Sequence, residues 1–96
     1  MHYRTLGRTG VKVSRLCFGT MSFGGDADEA TSAAMFKRCL DAGINFFDTA
    51  NSYSGGRSEQ ILGKLIAGMR DDLVINSKVC SPVGPGLNDR GLARRH

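Results

Sequence analysis

At 96 residues, 41% hydrophobic and 23% charged, the chain has the size and balance of one small soluble domain or a piece of a larger one. The net charge of +4 is modest and gathers at Arg90, Arg94 and Arg95, with no aromatic residues between them to stack on bases, so a nucleic-acid surface is not expected. The opening MHYRTLGRTG has no signal-peptide core and no apolar run approaches a membrane span, so the expectation is a soluble, cytoplasmic protein with no membrane contact.

In chain order, Tyr3 to Leu6 and Val11 to Ser14 flank the glycine-bounded turn Gly7 to Gly10 and predict a hairpin. Arg15 to Phe18 predicts a strand ending at Gly19, Thr20 and Met21. Asp26 and Glu29 have capping-box spacing, with Asp26 at the N-cap of a helix and Glu29 at N3. Ala30, Ala33, Phe36 and Leu40 recur along one face of that helix, and Gly43 stops it.

The continuous apolar run Ile44 to Phe47 reads as a strand buried on both faces, as parallel strands are, and it stops on the carboxylate of Asp48. A small-residue loop with Tyr53 follows, and Ser58-Glu59 opens a second helix through Ile61, Leu62 and Leu65. Asp71-Asp72 turn into a third strand, Leu73 to Val79. Ser81 to Gly91, which holds both prolines, reads as irregular loop, and Leu92 to His96 as the first turn of a third helix. Strands alternating with helices predict βαβ units and a parallel sheet, so the fold class is α/β.

In such sheets ligands gather at the C-terminal ends of the strands. Asp48, Tyr53 and Lys78 all fall at or just past those ends. An ordinary phenol is a poor acid at neutral pH, an adjacent ammonium favours the phenolate, and a carboxylate keeps the ammonium charged and oriented. A trio of this kind suits proton donation to an oxygen on which charge develops, as in carbonyl reduction. Each residue also has a plainer reading: Asp48 as a loop or cap residue, Tyr53 as a packing lid, Lys78 as surface.

Other motifs fail. The interval from Gly56 to Gly63-Lys64 is too long for a P-loop, and Leu65 stands where Ser or Thr is needed. Gly84, Gly86 and Gly91 lack dinucleotide-fingerprint spacing. Cys17, Cys39 and Cys80 form no C-x-x-C pair and the histidines lie at the two ends, so no metal site is expected. The cysteines read as buried or half-buried free thiols.

The blocks LGRTGVKVSRLCFGTMSFGG, GINFFDTANSYSGGRSEQILGK and LVINSKV, in this order and spacing, resemble the N-terminal portion of the aldo-keto reductases, in particular the group related to potassium-channel β subunits. The resemblance implies about three βα units plus a capping hairpin of a TIM-like (β/α)₈ barrel, a fold of roughly 250 residues. It also implies NADPH as cofactor and an aldehyde or ketone as the small-molecule carbonyl substrate.

By motif, Asp48, Tyr53 and Lys78 match three members of the family's catalytic tetrad. Gly19, Thr20 and Met21 match the strand end that approaches the nicotinamide-ribose side of the cofactor, with Asp48 near that ribose. The fourth tetrad member comes from a fourth strand, and His96 precedes the position of that strand, so it receives no catalytic role. Asn51 and Asn76 depart from the family pattern, and neither is expected to touch the trio.

On this reading the 96 residues hold part of an active site, end before strand 4 and need the remainder of the barrel, or self-association. An open inner face carrying Leu16, Phe18, Phe46, Val74 and Ile75 is expected to favour association. The rival expectation is a non-catalytic interaction or regulatory piece, or the product of a decayed gene, of the same family.

Overall fold

The computed structural model describes residues 1–96. A two-stranded antiparallel hairpin, β1 (Tyr3–Thr5) and β2 (Lys12–Ser14), precedes a three-stranded parallel sheet of β3 (Phe18–Gly19), β4 (Phe46–Asp48) and β5 (Val74–Asn76) in the order β3-β4-β5. The connections are α1 (Glu29–Asp41) and α2 (Arg57–Leu65), so the predicted βαβ rhythm is present. The sheet does not close: the radius of gyration is 14.4 Å, against about 12.5 Å for a compact chain of this length. No helix is long and apolar enough to cross a membrane.

One face of the sheet forms the core with the helices. The cross-strand row Phe18, Phe47, Ile75 lies on this face, with Phe47 wholly buried and its ring 5.0 Å from that of Phe36 on α1. Ile61 and Leu62 of α2, with Phe23, Cys39 and Leu73, complete the cluster. The adjoining rows, Gly19, Asp48, Asn76 and Phe46, Val74, belong to the opposite face because strand side chains alternate. Phe18 and Ile75 therefore leave the open face predicted for them and pack on the helices, whereas Phe46 and Val74 remain half-buried there.

Several boundaries differ from expectation. α1 is capped by Asp28, whose Oδ1 accepts from the Thr31 N–H at 2.7 Å, and not by Asp26. The backbone from Ser22 to Ala27 is folded into a tight turn, with the Gly24 N–H donating to Ala27 and the Ala27 N–H to Ser22, so the helix starts later. Glu29 reaches Lys64 of α2 at 3.1 Å, with no capping-box return. The buried stripe is consequently Ser32, Phe36 and Cys39, and Ala30 is exposed.

β3 is only two residues long, because the Arg15 N–H is bonded to His2 and Arg15 to Cys17 are exposed. Leu92 to His96 make a turn closed by the His96 N–H on Ala93, not a helix. Cys17 and Cys80 are exposed, and only Cys39 is buried.

The hairpin sits at the N-terminal ends of the strands. Asn45, just before β4, accepts from the Ser14 N–H at 2.7 Å and donates to the Lys12 carbonyl at 3.1 Å. Tyr3 OH donates to the Gly43 carbonyl at 2.7 Å, and a Cβ at Gly43 (φ +83) would stand 2.9 Å from Met1 Cβ, so only glycine fits this approach. The opposite, C-terminal edge is left clear, and the candidate residues converge on it.

Candidate active site

Asp48 is the last residue of β4, and Lys78 lies two residues past β5. The backbone pairing runs beyond the strands: the Thr49 N–H donates to Asn76 at 2.8 Å and the Asn51 N–H to Lys78 at 3.1 Å. That continuation carries the Lys78 side chain over the end of β4. Its ammonium donates to Asp48 Oδ2 at 2.7 Å, to the Thr49 carbonyl at 2.7 Å and to Tyr53 OH at 3.1 Å. A lysine ammonium has three protons, and all three have acceptors here.

Tyr53 opens a single turn of 3₁₀ helix, Tyr53–Gly56, inside which Ser54 (φ 51) and Gly55 (φ 63) are left-handed. Its ring also lies under the ammonium, 4.8 Å from Nζ to the centroid. Because Lys78 is the donor to Tyr53 OH, the phenolic proton is left for another acceptor.

The electrostatics agree with the contacts. The Asp48 carboxyl is held below the ordinary carboxylate range, chiefly by the Lys78 hydrogen bond, with a smaller contribution from Asn76 working against partial desolvation. Lys78 is raised above an ordinary lysine, first by its bond to Asp48 and then, against some desolvation, by Tyr53. The Cys17 thiol is pushed up by desolvation and by the Asp48 charge, so it is a thiol rather than a thiolate beside the trio.

The loop that carries Tyr53 is fastened from below by buried hydroxyls. Ser58, in the first turn of α2, donates to the Thr20 carbonyl at 2.7 Å and lies 2.9 Å from Thr20 Oγ1 and 3.0 Å from Thr49 Oγ1. Thr20 Oγ1 in turn donates to the Asp48 carbonyl at 3.1 Å. Gly24 permits the close packing, since a Cβ there would meet Arg57 Cβ at 2.7 Å. The starts of α2 and the ends of β3 and β4 are thus one hydrogen-bonded unit, and nothing in the spacing of Thr20, Thr49 and Ser58 announced it.

Of the residues matched to a cofactor, Gly19 is exposed with open space where a Cβ would stand, and Met21 is exposed at 67%. Thr20 departs from the expectation: it is wholly buried with its hydroxyl engaged, so it braces the strand end and offers a ligand no surface. Asn76 departs in the other direction, because its Nδ2 donates to Asp48 Oδ1 at 2.5 Å. Its position, two residues from Val74 and from Lys78, fixes only which side of the strand it takes; that it meets Asp48 there follows from the β4–β5 register. No cluster of three or more His, Cys, Asp or Glu side chains is arranged to hold a metal.

A sequence profile of the aldo/keto reductase family matches residues 15–96. The chain belongs to the aldo/keto reductase family. It is 43% identical over 100 residues to a probable voltage-gated potassium channel subunit beta of Arabidopsis thaliana, covering all of this chain and 30% of that protein. It is 47% identical over 111 residues to the uncharacterized oxidoreductase YrpG of Bacillus subtilis, covering all of this chain and 34% of that protein.

Among solved structures, the aldo-keto reductase AKR11C1 of Bacillus halodurans, in its holo form, superposes with a TM-score of 0.80 at 38% identity over 92% of this chain and 29% of that one. The chain thus spans about a third of the length of these curated relatives. Its three parallel strands, two helices and hairpin are the N-terminal portion of the aldo/keto reductase barrel, without closure.

Proposed function

We propose that these residues carry part of the active site of an NADPH-dependent oxidoreductase that reduces aldehydes or ketones. The observation that supports it most is that Lys78 donates to Asp48, Thr49 and Tyr53 at once, which leaves the phenolic proton of Tyr53 unspent. A reduced nicotinamide, when bound, supplies hydride to the carbonyl carbon. Tyr53 gives its proton to the carbonyl oxygen as negative charge grows there. The Lys78 ammonium, 3.1 Å from the phenol oxygen, stabilises the phenolate that remains, and Asp48 keeps that ammonium in place.

The residues present fit such a cofactor. Gly19 and Met21 line the β3 end with accessible surface, and the carboxylate of Asp48 keeps lone pairs beyond its two donors for a ribose hydroxyl. The substrate is a small carbonyl compound, taken up in the cytoplasm, with no nucleic acid or membrane in its recognition. The rest of a barrel, supplied in the same chain or by self-association, completes the fourth catalytic position and the grip on the cofactor's phosphates.

A second reading, a non-catalytic interaction or regulatory role, is favoured by the similarity to proteins named as potassium-channel β subunits. An engaged Asp-Lys-Tyr contact has no evident use in a purely structural piece.

The experiment is a chimera in which residues 1–96 replace the matching part of the Bacillus halodurans reductase, assayed for NADPH binding by fluorescence and for aromatic-aldehyde reduction. Turnover that falls at least about a hundredfold on Tyr53→Phe, with NADPH binding retained, is the expected result. Retention of more than a few per cent of turnover in that variant would sink Tyr53 as the proton donor. A chimera that folds and binds NADPH yet never reduces a carbonyl compound would favour the second reading.

A further inference from the structure

Asp48 and Asn76 stand opposite one another in the β4–β5 ladder, on the face away from the helices. Their side chains meet: Asn76 Nδ2 donates to Oδ1 of Asp48 at 2.5 Å, while Lys78 Nζ donates to Oδ2 at 2.7 Å. Each carboxylate oxygen therefore has its own donor, one neutral and one charged. We propose that Asn76 is a positioning residue, which by holding one oxygen of Asp48 fixes the plane of the carboxylate so that the other oxygen keeps Lys78 against Tyr53.

The reason is torsional. The last torsion of an aspartate is broad and roughly two-fold, so a single donor leaves the carboxylate plane free to swing. Lys78 is a compact charge on a flexible four-carbon stem and does not fix the plane by itself. A second donor across the ladder, from a side chain with few rotamers and a backbone already tied into the sheet, removes that freedom. The chain past Asn76 is itself tethered, since its carbonyl accepts from the Thr49 N–H at 2.8 Å.

The other titratable groups facing Asp48 are Lys78 after β5, Tyr53 on the loop after β4 and Cys17 ahead of β3. None of these supplies a donor to Oδ1. The amide must present nitrogen to Asp48, because an ionised carboxylate only accepts, and the amide oxygen of Asn76 remains on the open face.

The effect on Asp48 follows from geometry alone, whereas its consequence for turnover rests on the reductase reading, and the test separates the two. In the 96-residue chain carrying ¹³C-labelled aspartate carboxyls, the Asp48 titration is compared in the native protein, Asn76→Leu and Asn76→Gln. Leucine has nearly the shape of asparagine and no donor, so the Asp48 midpoint moves up towards an ordinary carboxylate; glutamine keeps the amide and moves it back.

Asn76→Ala repeats the measurement with a smaller side chain should the leucine variant not fold, and it too raises the midpoint, having removed the donor without adding a charge. In the chimera, Asn76→Leu lowers kcat about tenfold, the loss of one hydrogen bond to a charged group, with the acid limb of the pH profile moved to higher pH. KM for the aldehyde stays within about twofold, since Asn76 is argued to act through Asp48 rather than on substrate. An Asp48 midpoint unchanged in both Asn76→Leu and Asn76→Ala overturns the proposal whatever the activity. A native chimera that folds and binds NADPH but reduces no carbonyl compound overturns the reductase reading, and the midpoint then decides on Asn76 alone.

Discussion

The two faces of the β3–β4–β5 sheet come from alternate residues of the same three strands and are built to different ends. On the helix-covered face, Phe47 is wholly buried among Phe18, Phe36 and Leu62 and carries no polar atom in its side chain. On the other face, one residue along each strand, stand Asp48 and Asn76, half-buried and exposed, joined by hydrogen bonds to a lysine and through it to a phenol. Alternation at a period of two separates stability from chemistry, with one residue serving the core and the next the site. Ser58, Thr20 and Thr49 belong to neither face; they tie the two together at the strand ends.

The sharpest way to break the comparison is to cut neighbouring phenylalanines. Phe47→Ala is expected to cost about 3–5 kcal/mol, a large share of what a small domain has, because it empties a site packed on every side. Phe46→Ala, on the half-buried face, should cost only about 1 kcal/mol. Denaturant unfolding of both variants checks this, and equal losses would mean that the faces have been assigned the wrong way round.

Ser58→Ala tests the link between them. It removes the donor to the Thr20 carbonyl and the partner of two buried hydroxyls, at an expected cost of about 2 kcal/mol. Hydrogen exchange should show the amides of Thr49 to Tyr53 losing protection more than those of α1, since the loop loses its anchor while the helix keeps its core. Uniform loss across the chain would make Ser58 a mere core residue.

A smaller effect is expected with pH. Asp48 has a depressed folded value, so its contribution is present above the ordinary carboxylate value of about 3.9 and is lost as pH falls through the folded one. Lys78 has a raised folded value, so its contribution is complete below about 10.4 and is lost as pH rises through the folded one. Thermal stability should therefore hold level between these limits, and Lys78→Met should flatten both the alkaline decline and the acid one, since Asp48 loses the partner that chiefly depresses it. Both side chains are partly exposed, at 45% and 29%, so the change in Tm is a few degrees at most and shrinks with salt. A profile that ignores the substitution would show that the ion pair is not formed in solution.

The least change concerns the loop between the faces. Ser54 is held at φ 51 immediately after Tyr53. Ser54→Gly relieves the left-handed strain of a residue with a Cβ but adds freedom to the unfolded chain, for a net gain of roughly 0.5 kcal/mol in stability. Calorimetry measures it; a loss of stability would mean that the 3.4 Å contact of Ser54 Oγ with the Met21 carbonyl matters more than the strain.

Much of this organisation was legible in the residues. The apolar Phe46-Phe47 ending on Asp48, the helical spacing through Phe36 and the glycine at 43 are local signals, and local sterics and hydrogen bonding act on them directly, although the strand starts at Phe46 rather than Ile44 and is covered on one face, not both. The convergence of Asp48, Tyr53 and Lys78 was also readable, because parallel strands with short loops bring their C-terminal ends to one edge. Three matters were decided only by the tertiary structure. Asp28 rather than Asp26 caps α1 because the turn from Ser22 to Ala27, closed by the Gly24 N–H on Ala27 and the Ala27 N–H on Ser22, carries the chain past Asp26 before the helix begins, and Asp28 then accepts from the Thr31 N–H. Thr20 is a brace and not a contact surface because α2 packs over it and gives its hydroxyl a partner from 38 residues away. Asn76 reaches Asp48 because the β4–β5 register sets them opposite one another, and register is a relation between segments that neither segment's residues contain alone.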